Sequence, residues 1–374
     1  MGITPCAGRR LVIAATLSAG TAVASAWVDW SWVSLHPPGT EQSWVRGLDG
    51  SRQAGTVQVG GTGHAALWNG TAASWTDLHP PGAGPWGSTA YATADGQQVG
   101  YARFGGGPNQ AGLWMGTADS WVSLHPAGAF LSEALDTNGA QQAGFAAIGG
   151  ANRAGIWHGT SASWVNLHPG GAAESVAYAM TGAQQAGFAR FGGNQHASIW
   201  SGTAASWVDL HPAGAVASGC FDTNGSQQVG WTRPGVQAHA AMWAGTADSW
   251  ISLHPPGAQS SQANAVSPDG EHQVGQAVFP GSPFTRAVIW RGTADSWLDL
   301  HSVLPAEYYA SYATSVFESD GLFYVGGYAI RDGIQEAILW VPEPASAVPL
   351  AAALLGVIGA RRRVQSSDRP QVSA

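Results

Sequence analysis

Histidine, cysteine and carboxylate are the side chains here whose types could do chemistry. Histidine is the most conspicuous, because seven of the 12 recur after a leucine, at 36, 79, 125, 168, 211, 254 and 301. Imidazoles repeated in this way are candidates for metal ligation or general acid and base work. Cys6 and Cys220 are the two thiols. Glu307 and Glu41 are the loop carboxylates that could serve a pair-based hydrolysis, and two of them make a weak case for the acid and nucleophile that glycoside cleavage needs. No G-x-S-x-G, H-E-x-x-H or P-loop phrase occurs, and glycine clusters such as Gly105 to Gly107 precede no helix. Catalytic residues, metal ligands and cofactors are therefore all expected to be none.

Whether the histidines meet depends on the elements that carry them. Their spacings are 43, 46, 43, 43, 43 and 47 residues, a period that belongs to propellers or solenoids. Each unit parses into four short strands, a to d; in the third these are SEALDTNG, QQAGFAAIGG, RAGIWHGT and SWVNLHP. Asp-Gly or Asn-Gly pairs, as at Asp49-Gly50 and Asn138-Gly139, make a and b hairpin partners. The phrase W-x-G-T-A-x-S-W does the same for c and d, with its two tryptophans seven residues apart, as in Trp114 and Trp121. A lone strand d opens the repeat region and a, b and c close it. The two fragments complete one blade, which predicts an all-β, seven-bladed β-propeller of four-stranded blades, closed by the N-terminal strand.

In such a ring, strand d lies three steps of about 4.8 Å beyond strand a, so equivalent histidines on adjacent blades stand more than ~10 Å apart. A shared ion needs donors about 2 Å away. The histidines read instead as a repeated hydrogen bond from the end of d to the next interblade loop. The c and d tryptophans read as blade-to-blade packing, each indole N–H needing an acceptor, with sugar stacking left open for a few. Counted back from the turn glycine, Cys220 falls in a column with Val45, Tyr91, Ala134, Ala177, Ala265 and Val316, as a small buried filler.

The ends read as addresses. Arg9 and Arg10, the run LVIAATLSAGTAV and the pair Ala24 and Ala26 around Ser25 form a secretory signal, with cleavage after Ala26. At the other end Pro342, Glu343 and Pro344 precede an apolar run and then Arg361, Arg362 and Arg363, the basic flank staying cytoplasmic. That order resembles the PEP-CTERM sorting signal of Gram-negative bacteria. The resemblance implies an exosortase-type enzyme as transient partner, membrane contact through the apolar segment and final sorting to the outer surface or matrix; a retained anchor is the alternative. The repeat text, for example His64-Ala65-Ala66-Leu67-Trp68 followed by Asp77-Leu78, resembles the HAF-type extracellular repeat, which implies a secreted propeller and no particular activity. The organisation is thus 1-26 signal peptide, 27-341 propeller, 342-363 sorting segment and 364-374 cytoplasmic tail.

Composition excludes two classes. Fifty-two Gly, 19 Trp and only 10% charged residues do not describe a disordered chain. A net charge of -8, with 15 arginines and no lysine, gives no drive toward nucleic acid. Between the addresses, residues 27–344 hold 9 arginines against 22 carboxylates, net -13.

Function then rests on what breaks the sevenfold pattern. The b-c span varies from 13 to 15 residues and the d-a span from 14 to 20, while the a-b and c-d turns scarcely vary. Alternating strand direction puts both variable connections on one face, and the expected contact residues are its non-repeat aromatics Trp86, Phe279, Phe284, Tyr308 and Tyr309. The alternative is that longer loops merely tolerate insertions. The sequence reads as a secreted, non-enzymatic module contacting polysaccharide or an envelope protein through this face. A propeller hydrolase or lyase and a self-associating matrix scaffold are the other readings.

Overall fold

The computed structural model describes residues 28–343, which form seven four-stranded antiparallel sheets arranged as the blades of a β-propeller. The signal segment and most of the sorting segment lie outside the described residues. Blade 3 is representative, with strand a at Ser132–Thr137, b at Gln142–Ile148, c at Ala151–Trp157 and d at Val165–Asn166. Strand d is shorter than its seven-residue phrase because a 3-10 turn at Ser161–Ser163 occupies its start. Blade 7 joins Ala310–Ser319, Leu322–Arg331 and Ile334–Pro342 to the N-terminal strand Trp30–Ser34. Trp30 pairs with Pro342, so the propeller strand runs one residue past 341, into the first residue of the Pro-Glu-Pro motif.

The invariant c-d phrase has a local cause. In blade 2 the Ser120 hydroxyl accepts the Met115 N–H (2.8 Å) and donates to the Thr117 carbonyl, while Gln98 of strand b accepts the Gly116 N–H (2.8 Å). Gly116 sits at φ 82°, which glycine adopts without strain. The same bonds recur in five further blades, which explains why Gln, Gly, Thr and Ser repeat together.

Between blades, the large residues are the c tryptophans. Trp200 of blade 4 lies among Ala143, Ala154, Ile156 and Leu167 of blade 3, and Trp157, Trp243 and Trp290 pack backward in the same way. Six of these indoles have no acceptor, because the facing surface is alanine and aliphatic; Trp340 alone of the column reaches a carbonyl, that of Leu300 at 2.9 Å. Six of the d tryptophans, Trp32, Trp75, Trp121, Trp164, Trp207 and Trp297, pack against the same clusters but are less buried than the c column. Trp121 lies over Gly112 of its own blade, where a Cβ would meet the ring at 2.1 Å, and most of the column is half-buried, with Trp250 38% exposed.

The histidines lock blade to blade. In blade 4 the Ser175 hydroxyl accepts the Ala154 N–H from strand c of blade 3 (2.9 Å) and faces His168 Nδ1 at 2.8 Å, while His168 Nε2 meets the Ala172 carbonyl at 3.0 Å. The Ala172 carbonyl only accepts, so Nε2–H donates to the loop, and in the neutral imidazole that burial favours Nδ1 accepts from the Ser175 hydroxyl. All seven serines repeat the pairing at 2.7 to 2.9 Å. Burial holds all seven imidazoles below their usual value.

Candidate functional site

Strand a is the innermost strand, and in every blade it carries a β-bulge. The glycine of Q-x-G on strand b is its counterpart. At Gly144 an added Cβ would lie 2.0 Å from the Glu133 carbonyl oxygen, so only glycine admits the close approach. The extra residue of each bulge leaves the ladder. These residues are Arg46, Tyr91, Leu135, Tyr178, Phe221, Asn264 and Thr314, all of which line one axial funnel of about 730 Å³. Strand b contributes Phe145, Phe188, Gln276 and Tyr328. The funnel includes residues from the ends of b and the starts of c, so it opens on the face of the b-c and d-a loops.

Its wall is uneven. Tyr178 packs against Phe188 (5.8 Å between ring centroids) and edge-on against Phe221 (5.6 Å), and burial raises its phenol to about 12. Tyr312 and Tyr328 stack at 4.6 Å. Blade 6 supplies an amide patch in which Asn264 donates to Gln276 (3.2 Å) and Gln276 to Gln262 (3.1 Å). Two carboxylates also reach the funnel. Glu133 accepts from the Tyr91 hydroxyl (2.9 Å) and Asn109 (2.6 Å), and Glu174 from Arg190 (3.0 Å) and Asn152 (3.1 Å). Aromatic planes, amides and a few anchored charges suit a polar ligand with flat faces.

The five aromatics expected from the loops lie on this face, but none lines the funnel. Trp86 is 49% exposed and lies against Gly106. Phe284 and Tyr309, 43% and 38% exposed, form a ring pair at 4.7 Å. Phe279 is half-buried, stacked on Trp297 at 4.7 Å. Tyr308 is a correction: it is 2% exposed, and its hydroxyl donates to Glu336 at 2.6 Å, so it packs rather than contacts. Of the two named carboxylates, Glu41 accepts the Gly61 N–H and Glu307 is exposed, both outside the funnel.

Length variation is not confined to one face. From the relay serine to the paired glycine of strand b is 12 residues in blades 1 to 5, but 14 in blade 6 (Ser261 to Gly275) and 16 in blade 7 (Ser311 to Gly327). Those extra residues lengthen the a-b hairpins, in blade 7 by two further strand pairs, so the hairpins reach farther on the opposite face. They also shift the Cys220 column, whose true members are Val45, Ala90, Ala134, Ala177, Ala263 and Ala313, the partners of the strand b glycines. Tyr91 is a bulge residue instead, and Ala265 and Val316 lie farther along. Cys220 is buried and forms no disulfide among the described residues, and burial pushes its thiol up.

The longer a-b connections border a second cleft of about 440 Å³ that includes Trp30, His272, Arg291, Phe323 and Pro342. Asp269, Glu271 and His272 present ligand-type atoms within 4.8 Å of one another. Arg291 Nε lies 3.3 Å from His272 Nε2, and burial followed by the Arg291 charge pushes that imidazole down to about 4. A guanidinium in that position opposes a second cation.

No family model matches the chain, and no curated protein matches it in sequence. Solved structures do. TolB from Acinetobacter baumannii is 9% identical, with 78% of this chain and 82% of that one covered and a TM-score of 0.44. A prolyl endopeptidase is 9% identical, with 83% and 51% covered and a TM-score of 0.55. The acylaminoacyl peptidase of Pyrococcus horikoshii is 8% identical, with 88% and 56% covered and a TM-score of 0.50. The chain spans about half the length of each peptidase. At such identities the likeness is one of fold, and the class is the β-propeller. Among the described residues no helix is long and apolar enough to cross a membrane.

Proposed function

We propose that this protein is a secreted, surface-sorted propeller that serves the cell envelope or extracellular matrix as a non-enzymatic binding module, holding polysaccharide at its loop face. The observation that carries the reading is the funnel, because it gathers aromatic planes and side-chain amides where the sevenfold repeat is broken. The chain ends agree with it. Glu343 N–H donates to the Asp29 carbonyl at 2.7 Å, beside the turn-face cleft, so the chain leaves the ring opposite the funnel mouth. The PEP-CTERM-like segment, with Pro342, Glu343 and Pro344 before Arg361 to Arg363, would then direct the funnel away from the membrane while an exosortase-type enzyme acts.

One observation favours a second reading, hydrolysis or lysis of the polysaccharide: Glu133 and Glu174 both reach the funnel. Against it, each carboxylate is already held by two partners, which suits positioning better than proton transfer. A glycan array with the full-length protein, an assay for new chain ends and sizing of the same sample separate the possibilities. Binding without new ends supports the proposal. New ends make it an enzyme, and self-association without glycan binding makes it a scaffold.

A further inference from the structure

Three charged side chains line the funnel, and two are held by hydrogen bonds. Glu133 is bound by Tyr91 and Asn109, and Glu174 by Arg190 and Asn152. Arg46 is the third. It is the bulge residue of blade 1, exposed at the funnel wall, and among the described residues it forms no ion pair or side-chain hydrogen bond. Its guanidinium lies near enough to Tyr91 of blade 2 and Tyr328 of blade 7 to act on both phenols. Around the ring, the Tyr178, Phe188 and Phe221 cluster of blades 4 and 5 faces it from the far side, and the blade 6 amides stand between.

Resting on the reading of the funnel as a polysaccharide site, we propose that its ligand is an acidic glycan, whose uronate-type carboxylate is taken by Arg46 while the sugar ring lies against the Tyr178 cluster. A guanidinium presents two parallel N–H donors that match the two oxygens of a carboxylate. Sugar is favoured over an acidic peptide because the remaining wall offers aromatic faces and amides suited to hydroxyl groups. Long-range charge does not favour an anion, since the whole chain carries a net -8, and Arg46 is the one cationic side chain among the residues lining the funnel. Preference for the carboxylate therefore depends on one side chain.

The test is calorimetric titration of the full-length protein with oligogalacturonate and with its methyl ester, which keeps the ring and removes the charge. Losing one charge-assisted pair weakens binding about tenfold or more. The expected result is that the acid binds at least about tenfold tighter than the ester. Arg46→Gln brings the acid to the level of the ester and leaves the ester unchanged, which also shows the variant to be folded. Tyr178→Ala weakens both. Equal binding of acid and ester, or an acid preference that survives Arg46→Gln, overturns the inference but leaves the polysaccharide reading. Failure of both sugars to bind removes the two together, and capture of an oligoglutamate peptide in their place, lost in Arg46→Gln, transfers the site to a protein partner.

Discussion

Removing one hydroxyl tests the interblade lock. In Ser175→Ala, the Ala154 N–H loses its 2.9 Å acceptor and His168 Nδ1 its 2.8 Å donor, with Ser175 fully buried in the wild type. A buried donor left unsatisfied costs about 1–3 kcal/mol. At roughly 2 cal/mol/K per residue, a ring of about 300 residues has an unfolding entropy near 0.6 kcal/mol/K, so 2 kcal/mol lowers the thermal midpoint by about 3 °C. Differential scanning calorimetry at pH 8 measures it, with exposed Ser51→Ala as the control. The gap between wild type and Ser175→Ala narrows as the pH falls below 6.5, because an imidazolium cannot accept the hydroxyl proton. A midpoint for Ser175→Ala equal to that of the control, or a gap independent of pH, would refute the relay.

The seven relay histidines have folded values held below 6.5 by burial, so their contribution to stability is present above pH 6.5 and is lost as pH falls through that value. Asp136 and Asp222, raised to about 7 by burial, oppose this by gaining stability between about 7 and 3.8. Midpoints from pH 8 to 5 should fall in the wild type and fall less in His168→Gln/His211→Gln; equal slopes would contradict the assignment. Trp200→Ala should cost about 3–5 kcal/mol in a denaturant titration, and Trp207→Ala clearly less, since the first is fully buried between blades and the second is half exposed. Truncation before His36 removes the closing strand and leaves Ile334–Pro342 as an open edge, so size exclusion should show oligomers; a monomer with an unchanged midpoint would count against closure. Tyr308→Phe should destabilise by about 1–3 kcal/mol through the lost Glu336 bond and leave glycan affinity unaltered, whereas altered affinity with unaltered stability would return Tyr308 to the contact surface.

The ring was legible because its determinants are local and repeated. Asp-Gly turns, the fixed tryptophan spacing and the divided blade each state a pairing directly. The role of the histidines was also legible, since distance alone forbids their meeting. The funnel was not found in the same way, because attention to loop length misses a signal written in side-chain identity. Along strand a, the relay position is always serine and the position two residues later is always small or Val, but the next one reads Arg46, Tyr91, Leu135, Tyr178, Phe221, Asn264 and Thr314. Counting back from the turn glycine hid that column, since the extra residues of blades 6 and 7 put Ala265 and Val316 in line with Cys220. Tyr308 was misplaced for a related reason: a loop position says nothing of a buried acceptor such as Glu336, which comes from strand c of the last blade.

The bulge explains why one position can vary while its neighbours cannot. A strand a residue that pairs in the ladder must suit strand b and the next blade, and here those demands leave alanine, valine or cysteine. The bulged residue has left the ladder and lines the axial funnel, so its side chain is free of the ladder's size limit and meets the next blade by varied contacts, as Tyr91 does Glu133 and Tyr178 does Phe221. What the fold requires is the glycine opposite, whose missing Cβ lets the strand a carbonyl approach to about 2.0 Å of where that atom would stand. Gly144 and its six counterparts thus separate the ladder from the funnel wall: they fix the backbone that aims seven side chains inward and leave the identity of those side chains outside the ladder. A ring built this way admits substitutions at seven funnel positions without touching the tryptophans, serines and histidines that hold it closed, and on the proposed function those are the substitutions that would change its ligand.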